Sequence, residues 1–445
     1  MLRSGLPLAL LLMTPMMVVG QDGPRASEIQ IASDPADSLQ VPEHTLPHGD
    51  ALTLADLEGI AVRHNPTLGT AAARLHVARG KRIQAGLYPN PVVGYHGVEM
   101  GLRGTSGQQG GFVSQQFITG GKLNLDRAIA GKEIDEAHYK FHAQEQRVLT
   151  DVRVRFYEAL VAQRRVQLTG KLVSIGDKLV RATEKLIEVR QGTENDLLQA
   201  EIKADESHIL LDNSENQHTE SWRRLAAVVG VPSMQPVPLD GQLDEDLASF
   251  DWDTCCASVL GSNPTLNAAR TRVDRARIVI QRAGKDPIPN VDVWVSHRHH
   301  NVTDENVTNV QVGIPLPIFN RNQGNIRSAE AAWVAACHDF KRIELELQDR
   351  LAVVYRRYAN ARQQTDRYGT RMVPRAQRSL TLVTEGYETG QVKYLTLLTA
   401  QQTFLQVSLS YLDSLRELRT ASSIIEGRLL TDSLAERIQA TGPLP

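Results

Sequence analysis

Apolar positions recur every three and four residues along most of this chain and alternate singly in only a few short stretches, which predicts a mainly α protein with a small β part. Residues 53–87 have helical period and end at Pro89 and Pro91, which cannot continue a helix. β-like runs follow at 92–100 and 111–119, around a Gly-rich turn. From Lys122 to Gln191 no proline interrupts a helix-forming run; Gly192 breaks it, and helix resumes over 194–229. The same order returns as a helix over 252–285, β-like runs at 291–300 and 307–316, a helix over about 324–389, Gly390, and a helix over 392–430. Pro374 falls inside the second long helix and should bend it.

This is a two-fold internal repeat. Asn65-Pro66-Thr67-Leu68 returns as Asn263-Pro264-Thr265-Leu266, and the same offset carries Pro89 onto Pro287, Pro91 onto Pro289 and Gly192 onto Gly390. The long helices carry heptad-like seams: Leu168, Leu172, Ile175, Leu179, Ala182, Leu186 and Val189 in the first, and Phe340 through Ile343, Leu347, Leu351, Val354, Tyr358, Ala361, Thr365 and Tyr368 to Met372 in the second. A helix of that length reaches about 100 Å, several times an ordinary domain. In each repeat the two shorter helices together match the long one, so they can stack end to end beside it.

The β-like runs are two-faced. Val291, Val293 and Val295 oppose Asp292, Trp294, Ser296 and Arg298; Val310, Val312 and Ile314 oppose Asn309, Gln311 and Gly313. In the first repeat Val93, Tyr95, Phe112 and Phe117 are the candidates for an apolar, lipid-facing surface. Strands of about 10 residues with one apolar face suit an outer-membrane barrel. Four strands cannot close one, and open edges are not tolerated in lipid, so several chains must combine.

Composition narrows the function classes. Lys+Arg 49 against Asp+Glu 51 leaves a net charge of -2, which argues against nucleic acid as a partner. Cys255, Cys256 and Cys337 form no zinc-spaced cluster and are read as small hydrophobes. No nucleophile motif, phosphate loop or carboxylate pair is present, so neither an enzyme nor a cofactor is expected. Residues 1–20, with Arg3 before the apolar run Leu6–Val19, read as a signal peptide, and 21–50 as a flexible tail. The run is too short to span a bilayer, and no cysteine follows it to carry a lipid. Two histidine groups have spacings that could bind a metal: His297, His299 and His300 at a strand end, and His138 and His142 one helical turn apart.

The duplicated Asn-Pro, Tyr88-Pro89-Asn90-Pro91, Thr119-Gly120-Gly121-Lys122 and the run Gly313-Ile314-Pro315-Leu316-Pro317-Ile318-Phe319-Asn320-Arg321-Asn322-Gln323-Gly324 together resemble the outer-membrane efflux proteins of the TolC type. The last run is similar to the strand-to-helix turn of their heavy-metal (cobalt–zinc–cadmium) subgroup. The resemblance implies a homotrimer: a 12-stranded barrel in outer-membrane lipid, continued by a 12-helix periplasmic α-barrel. It further implies the exit duct of a tripartite pump, with a periplasmic adaptor (membrane-fusion) protein and an inner-membrane transporter of the RND type. The chain then divides into a first repeat at 51–230 (hairpin 92–119), a linker at 231–251, a second repeat at 252–430 (hairpin 291–316) and a tail at 431–445. The competing reading is a soluble periplasmic coiled-coil adaptor.

The resemblance also assigns the periplasmic tips, Gly192 with Thr193 and Gly390 with Gln391, to adaptor docking. Both glycines are expected to turn the chain in a left-handed conformation. Some relatives carry two aspartates six and nine residues after the second glycine, where this chain has Thr396 and Thr399. Glu194, Asp196 and Glu201 near the first tip are the acids left to ring an entrance gate and attract cations.

Overall fold

The structure, a computed structural model, describes residues 51–101, 104, 106–188, 192–245 and 247–435. The signal-peptide and tail readings for 1–50, and Val189 of the first seam, lie outside these residues.

The helix expected over 53–87 is two helices, α1 (Leu54–His64) and α2 (Pro66–Ala85), and that expected over 252–285 is likewise α5 (Trp252–Ser262) and α6 (Pro264–Ala283). The break lies at Asn65 and Asn263, because a residue before proline is pushed out of the helical region; their ψ angles are 117° and 120°. Each asparagine then caps the helix that follows: Asn65 Oδ1 accepts from Thr67 N at 3.0 Å, and Asn263 Oδ1 from Thr265 N at 2.8 Å.

Between these pairs run the strands β1 (Val92–Val98) and β2 (Gln108–Phe117), then α3 (Lys122–Glu188) and α4 (Glu194–Val229). The second repeat continues with β3 (Val291–His300), β4 (Glu305–Gly313), α7 (Gln323–Arg367), α8 (Val373–Glu388) and α9 (Tyr394–Glu426). β4 stops before Pro315 and Pro317, which cannot donate to a ladder, and so is shorter than the run expected to 316. The expected irregularity at Pro374 is a π-helical turn, Tyr368–Met372, between α7 and α8. There the ring of Tyr411 approaches Gly369 so closely that a Cβ would stand 3.0 Å from it.

The short helices do stack on the long ones' partners. Asn65 Nδ2 donates to the carbonyl of Val228 at the end of α4, at 2.7 Å, and Asn263 Nδ2 to that of Arg428 just past α9, at 2.9 Å. Gly230, left-handed at φ 89°, comes so close to His64 that a Cβ would lie 2.7 Å from its carbonyl oxygen. The duplicated Asn-Pro is therefore the joint of each stacked column. Along the row, α3 packs on α2 and α6, and α6 on α7; α4 backs α3, and α9 backs α7 and α8.

The seams are buried as their spacing requires. Leu172 and Leu179 are buried in α3, and Ile343, Leu347, Leu351, Tyr358, Ala361 and Thr365 in α7. Tyr358 and Leu351 join Val259, Leu266, Leu418 and Ile425 in one core. Residues of the 231–251 segment fasten onto the helices: Gln163 exchanges hydrogen bonds with the backbone of Leu239 at 2.9 and 3.1 Å, and Arg419 Nε donates to Leu243 O at 2.9 Å.

Candidate functional site: the sheet faces and the helical tips

The four strands form one antiparallel sheet in the order β1-β2-β3-β4, so β1 and β4 are its edges. Pairing between β2 and β3 joins the two hairpins. Its register aligns Val93, Val113, Val295 and Val310 in one row across all four strands. All four side chains are exposed, as are Tyr95, Phe117 and Val312 on the same face. The neighbouring row, on the other face, is Gly94, Phe112, Ser296 and Asn309. With Ser114, Gln116, Asp292 and Gln311 it makes a largely polar surface. Gln116 Nε2 there donates to Asp292 Oδ1 at 3.0 Å.

Phe112 is a correction to the sequence reading. It lies opposite the valine face, its ring 5.8 Å from that of Trp294, because positions 112 and 117 of one continuous strand point to opposite sides. Val93, Tyr95 and Phe117 hold their expected face. An alternation of this kind gives hydrocarbon one side and water the other. Among the described residues no helix is long and apolar enough to cross a membrane.

The histidines at the hairpin end are divided between the faces. His297 and His299 share the valine face and His300 the polar one. His297 Nδ1 hydrogen-bonds Thr308 Oγ1 at 2.9 Å; His299 Nε2 pairs with Asp304 Oδ1 at 3.3 Å. On α3 the rings of His138 and His142 meet edge to face at 4.5 Å, and His142 Nδ1 lies 3.0 Å from Glu145 Oε2. Among the described residues no three or more His, Cys, Asp or Glu side chains are grouped to hold a metal ion.

At the far end of the long helices the two tips are built differently. Gly192 N donates to Leu186 O at 3.0 Å, but Gly192 is not left-handed, which corrects the expectation. Its constraint is closeness, since a Cβ there would stand 3.1 Å from the Ile187 side chain. Thr193 caps α4 reciprocally with Asp196: its hydroxyl donates to Asp196 Oδ2 at 2.7 Å and accepts from Asp196 N at 3.2 Å. Asp196 is thereby committed to its own helix start, whereas Glu194 and Glu201 are exposed.

The second tip follows the expected form. Gly390 is left-handed at φ 73°, and Gln391 N donates to Gly386 O at 2.8 Å. Thr396 and Thr399 are exposed on α9 and line a groove of about 370 Å³ with Ala376, Ser379 and Thr403. One tie between the tips was invisible in the spacing. Tyr387 OH and Thr183 Oγ1, both buried, hydrogen-bond at 3.0 Å, joining α8 to α3. Tyr394 packs its ring edge against Tyr387 at 5.9 Å. Burial first, then Tyr387 and last the charge of Asp196 push the Tyr394 phenol up to about 12. The only sequence signal for Tyr387 was an aromatic three residues before the tip glycine.

Comparison with known proteins accords with this geometry. The chain is 24% identical over 398 residues to the cobalt-zinc-cadmium resistance protein CzcC of Cupriavidus metallidurans, covering 89% of this chain and 94% of that one. Among solved structures it is similar to the outer-membrane channel OprN (TM-score 0.71, 17% identity, 86% of this chain and 91% of that one). It is also similar to the outer membrane protein VceC of Vibrio cholerae (TM-score 0.69, 19% identity, 84% and 95%). The outer membrane efflux protein family matches residues 59–231 and again 256–425, one match in each repeat, so the reading as a soluble adaptor is set aside. This duplicated chain, with one stacked and one long helical column in each repeat and a single two-faced sheet, belongs to the outer membrane efflux protein family.

Proposed function

We propose that this protein works as a homotrimer in outer-membrane lipid, as the exit duct of a tripartite pump whose cargo is divalent metal cations. The observation that carries the assembly is the four-stranded sheet with one apolar face and two open edges. Closing it takes further copies, and three give twelve strands, an even number within the range of known barrels. The tips Gly192–Thr193 and Gly390–Gln391 dock a periplasmic adaptor protein, which links the duct to an inner-membrane transporter of the RND type. The name of the CzcC relative supports metal cations as cargo, and exposed Glu194 and Glu201 at the entrance suit them. Asp196, held as a cap, serves the tip's shape. Deleting the gene should sensitise cells to cobalt, zinc or cadmium salts, and plasmid-borne protein should restore growth. Unchanged tolerance to all three, with lost tolerance to an organic toxicant, would overturn the cargo assignment.

A further inference from the structure

On the polar face of the sheet a buried cation has no counter-ion. Arg298 of β3 is only 8% exposed, its Nε is buried without a partner, and no hydrogen bond or ion pair among the described residues reaches its guanidinium. Two more polar groups on that face are in the same condition. Ser296, 1% exposed, has an unpartnered Oγ, and His96 of β1 a buried, unpartnered Nδ1. Burying a charge is costly unless it is paired, and unmet groups gathered in this way call for a ligand.

The register places the three together. His96, Gly110 and Arg298 lie opposite one another on β1, β2 and β3. Gly110 carries no side chain and none would fit, since a Cβ there would collide with the His297 carbonyl. His96 and Arg298 thus flank a bare position, their Cα atoms about 10 Å apart across two strand spacings. Ser296 belongs to the neighbouring row on the same face, opposite Phe112. The Phe112 ring stacks on Trp294 at 5.8 Å, and His96 meets Trp294 edge to face at 5.0 Å, so aromatic surface borders the same place. The carboxylates of this face and its hairpin are placed otherwise. Asp292 is held by Gln116, Glu99 faces His300 Nε2 at 3.9 Å, and Glu305 is exposed in the row of His300.

We propose that the bare position at Gly110 binds the carboxylate of a small organic anion. The planar fork of Arg298 matches the two carboxylate oxygens, Ser296 and His96 add single hydrogen bonds, and Trp294 with Phe112 covers the organic body. The row lies two residues short of the hairpin ends of β1 and β3, at the end of the sheet away from the helices. The site rests on the polar face being the lining of the proposed duct; an anion bound there narrows the outlet, and one added from the hairpin side reaches it first.

The test is calorimetric titration of the whole protein in mild detergent with sodium benzoate at constant ionic strength, beside acetate, phosphate and uncharged benzamide. Benzoate should bind, acetate about 10-fold more weakly for want of a ring to stack, and benzamide not at all. Arg298→Gln should abolish the heat. Arg298→Lys, which keeps the charge without the fork, should weaken binding about 10-fold, and Ser296→Ala about 5-fold. In planar bilayers, benzoate on the hairpin side should reduce the wild-type current and leave that of Arg298→Gln unchanged. No heat from benzoate, or heat that Arg298→Gln retains, would overturn the site. Phosphate binding with benzoate inert would overturn the organic carboxylate as its ligand. Binding that appears only in Glu305→Gln would assign Arg298 to that side chain and overturn the proposal. Absence of current from every form of the protein would overturn the duct reading, while the titration would still decide the site.

Discussion

The two repeats are alike at their joints and unlike at their tips. Asn65 and Asn263 occupy equivalent places, are almost fully buried, and each caps one helix while binding the end of another. At the tips that equivalence is lost. The first is closed locally, by a Thr193–Asp196 capping box. The second has Lys393 at the cap position with no side-chain hydrogen bond, and depends on a left-handed Gly390 and on Tyr387 reaching Thr183 across the fold. A joint must fix where a column sits. The second tip keeps its own left-handed turn at Gly390 and adds a contact to its neighbour, which can be changed without touching that turn. The π turn of Tyr368–Met372 adds a second irregularity to the same column, which α3 lacks.

The likeness is tested most strongly in the sheet. Val113→Arg in the first repeat and Val310→Arg in the second share one row, and each should cost about 2–4 kcal/mol if that row faces the bilayer midplane. Asn309→Arg, on the polar face, should leave membrane insertion intact and alter conductance. Folding yields in lipid vesicles measure all three, and equal losses from Val310→Arg and Asn309→Arg would break the face assignment.

Next come the joints. Asn65→Leu and Asn263→Leu each remove a cap and a buried side-chain donor, for about 2–3 kcal/mol. Comparable falls in thermal midpoint by circular dichroism would support equivalence, and a fall in only one would break it.

The tips should then diverge. Gly390→Val forces a β-branched residue into a left-handed backbone, for about 1–2 kcal/mol, while Gly192→Val keeps an ordinary backbone conformation and brings its Cβ to 3.1 Å from the Ile187 side chain and 3.3 Å from the Ile187 backbone nitrogen. Adaptor cross-linking to each variant reads the difference, and equal loss would erase it.

The smallest effect is on pH dependence. The Tyr394 phenol is raised from 10.0 to about 12, so its neutral form is favoured in the folded tip. That stabilisation is complete below pH 10 and is lost as the pH rises from about 10 to about 12. Tyr394→Phe should flatten the stability profile in that window, as followed by helical circular dichroism.

Much of this was legible in the pattern of residues, and most of the failures share a cause. The seam positions Ile343, Leu347, Leu351 and Tyr358 are buried because helical period alone decides which face they occupy. The Asn-Pro pairs marked the repeat, but their role as joints depends on carbonyls 163 and 165 residues away, which local periodicity does not encode. Phe112 stands five residues before Phe117 in one unbroken strand, so alternation alone denies the two a common face; pairing with β3 then puts Phe117 on the valine side. Thr183 and Tyr387 stand 204 residues apart, and nothing near either predicts the other. Acidity near a tip suggested a gate, yet Asp196 answers first to its own helix start.

The central claim is that one chain holds only part of a barrel. Native mass spectrometry of the protein extracted from outer membranes in mild detergent tests it most directly. The account predicts a particle of three chains, with none released into the periplasmic fluid by osmotic shock. A single chain, recovered in that fluid, would contradict it.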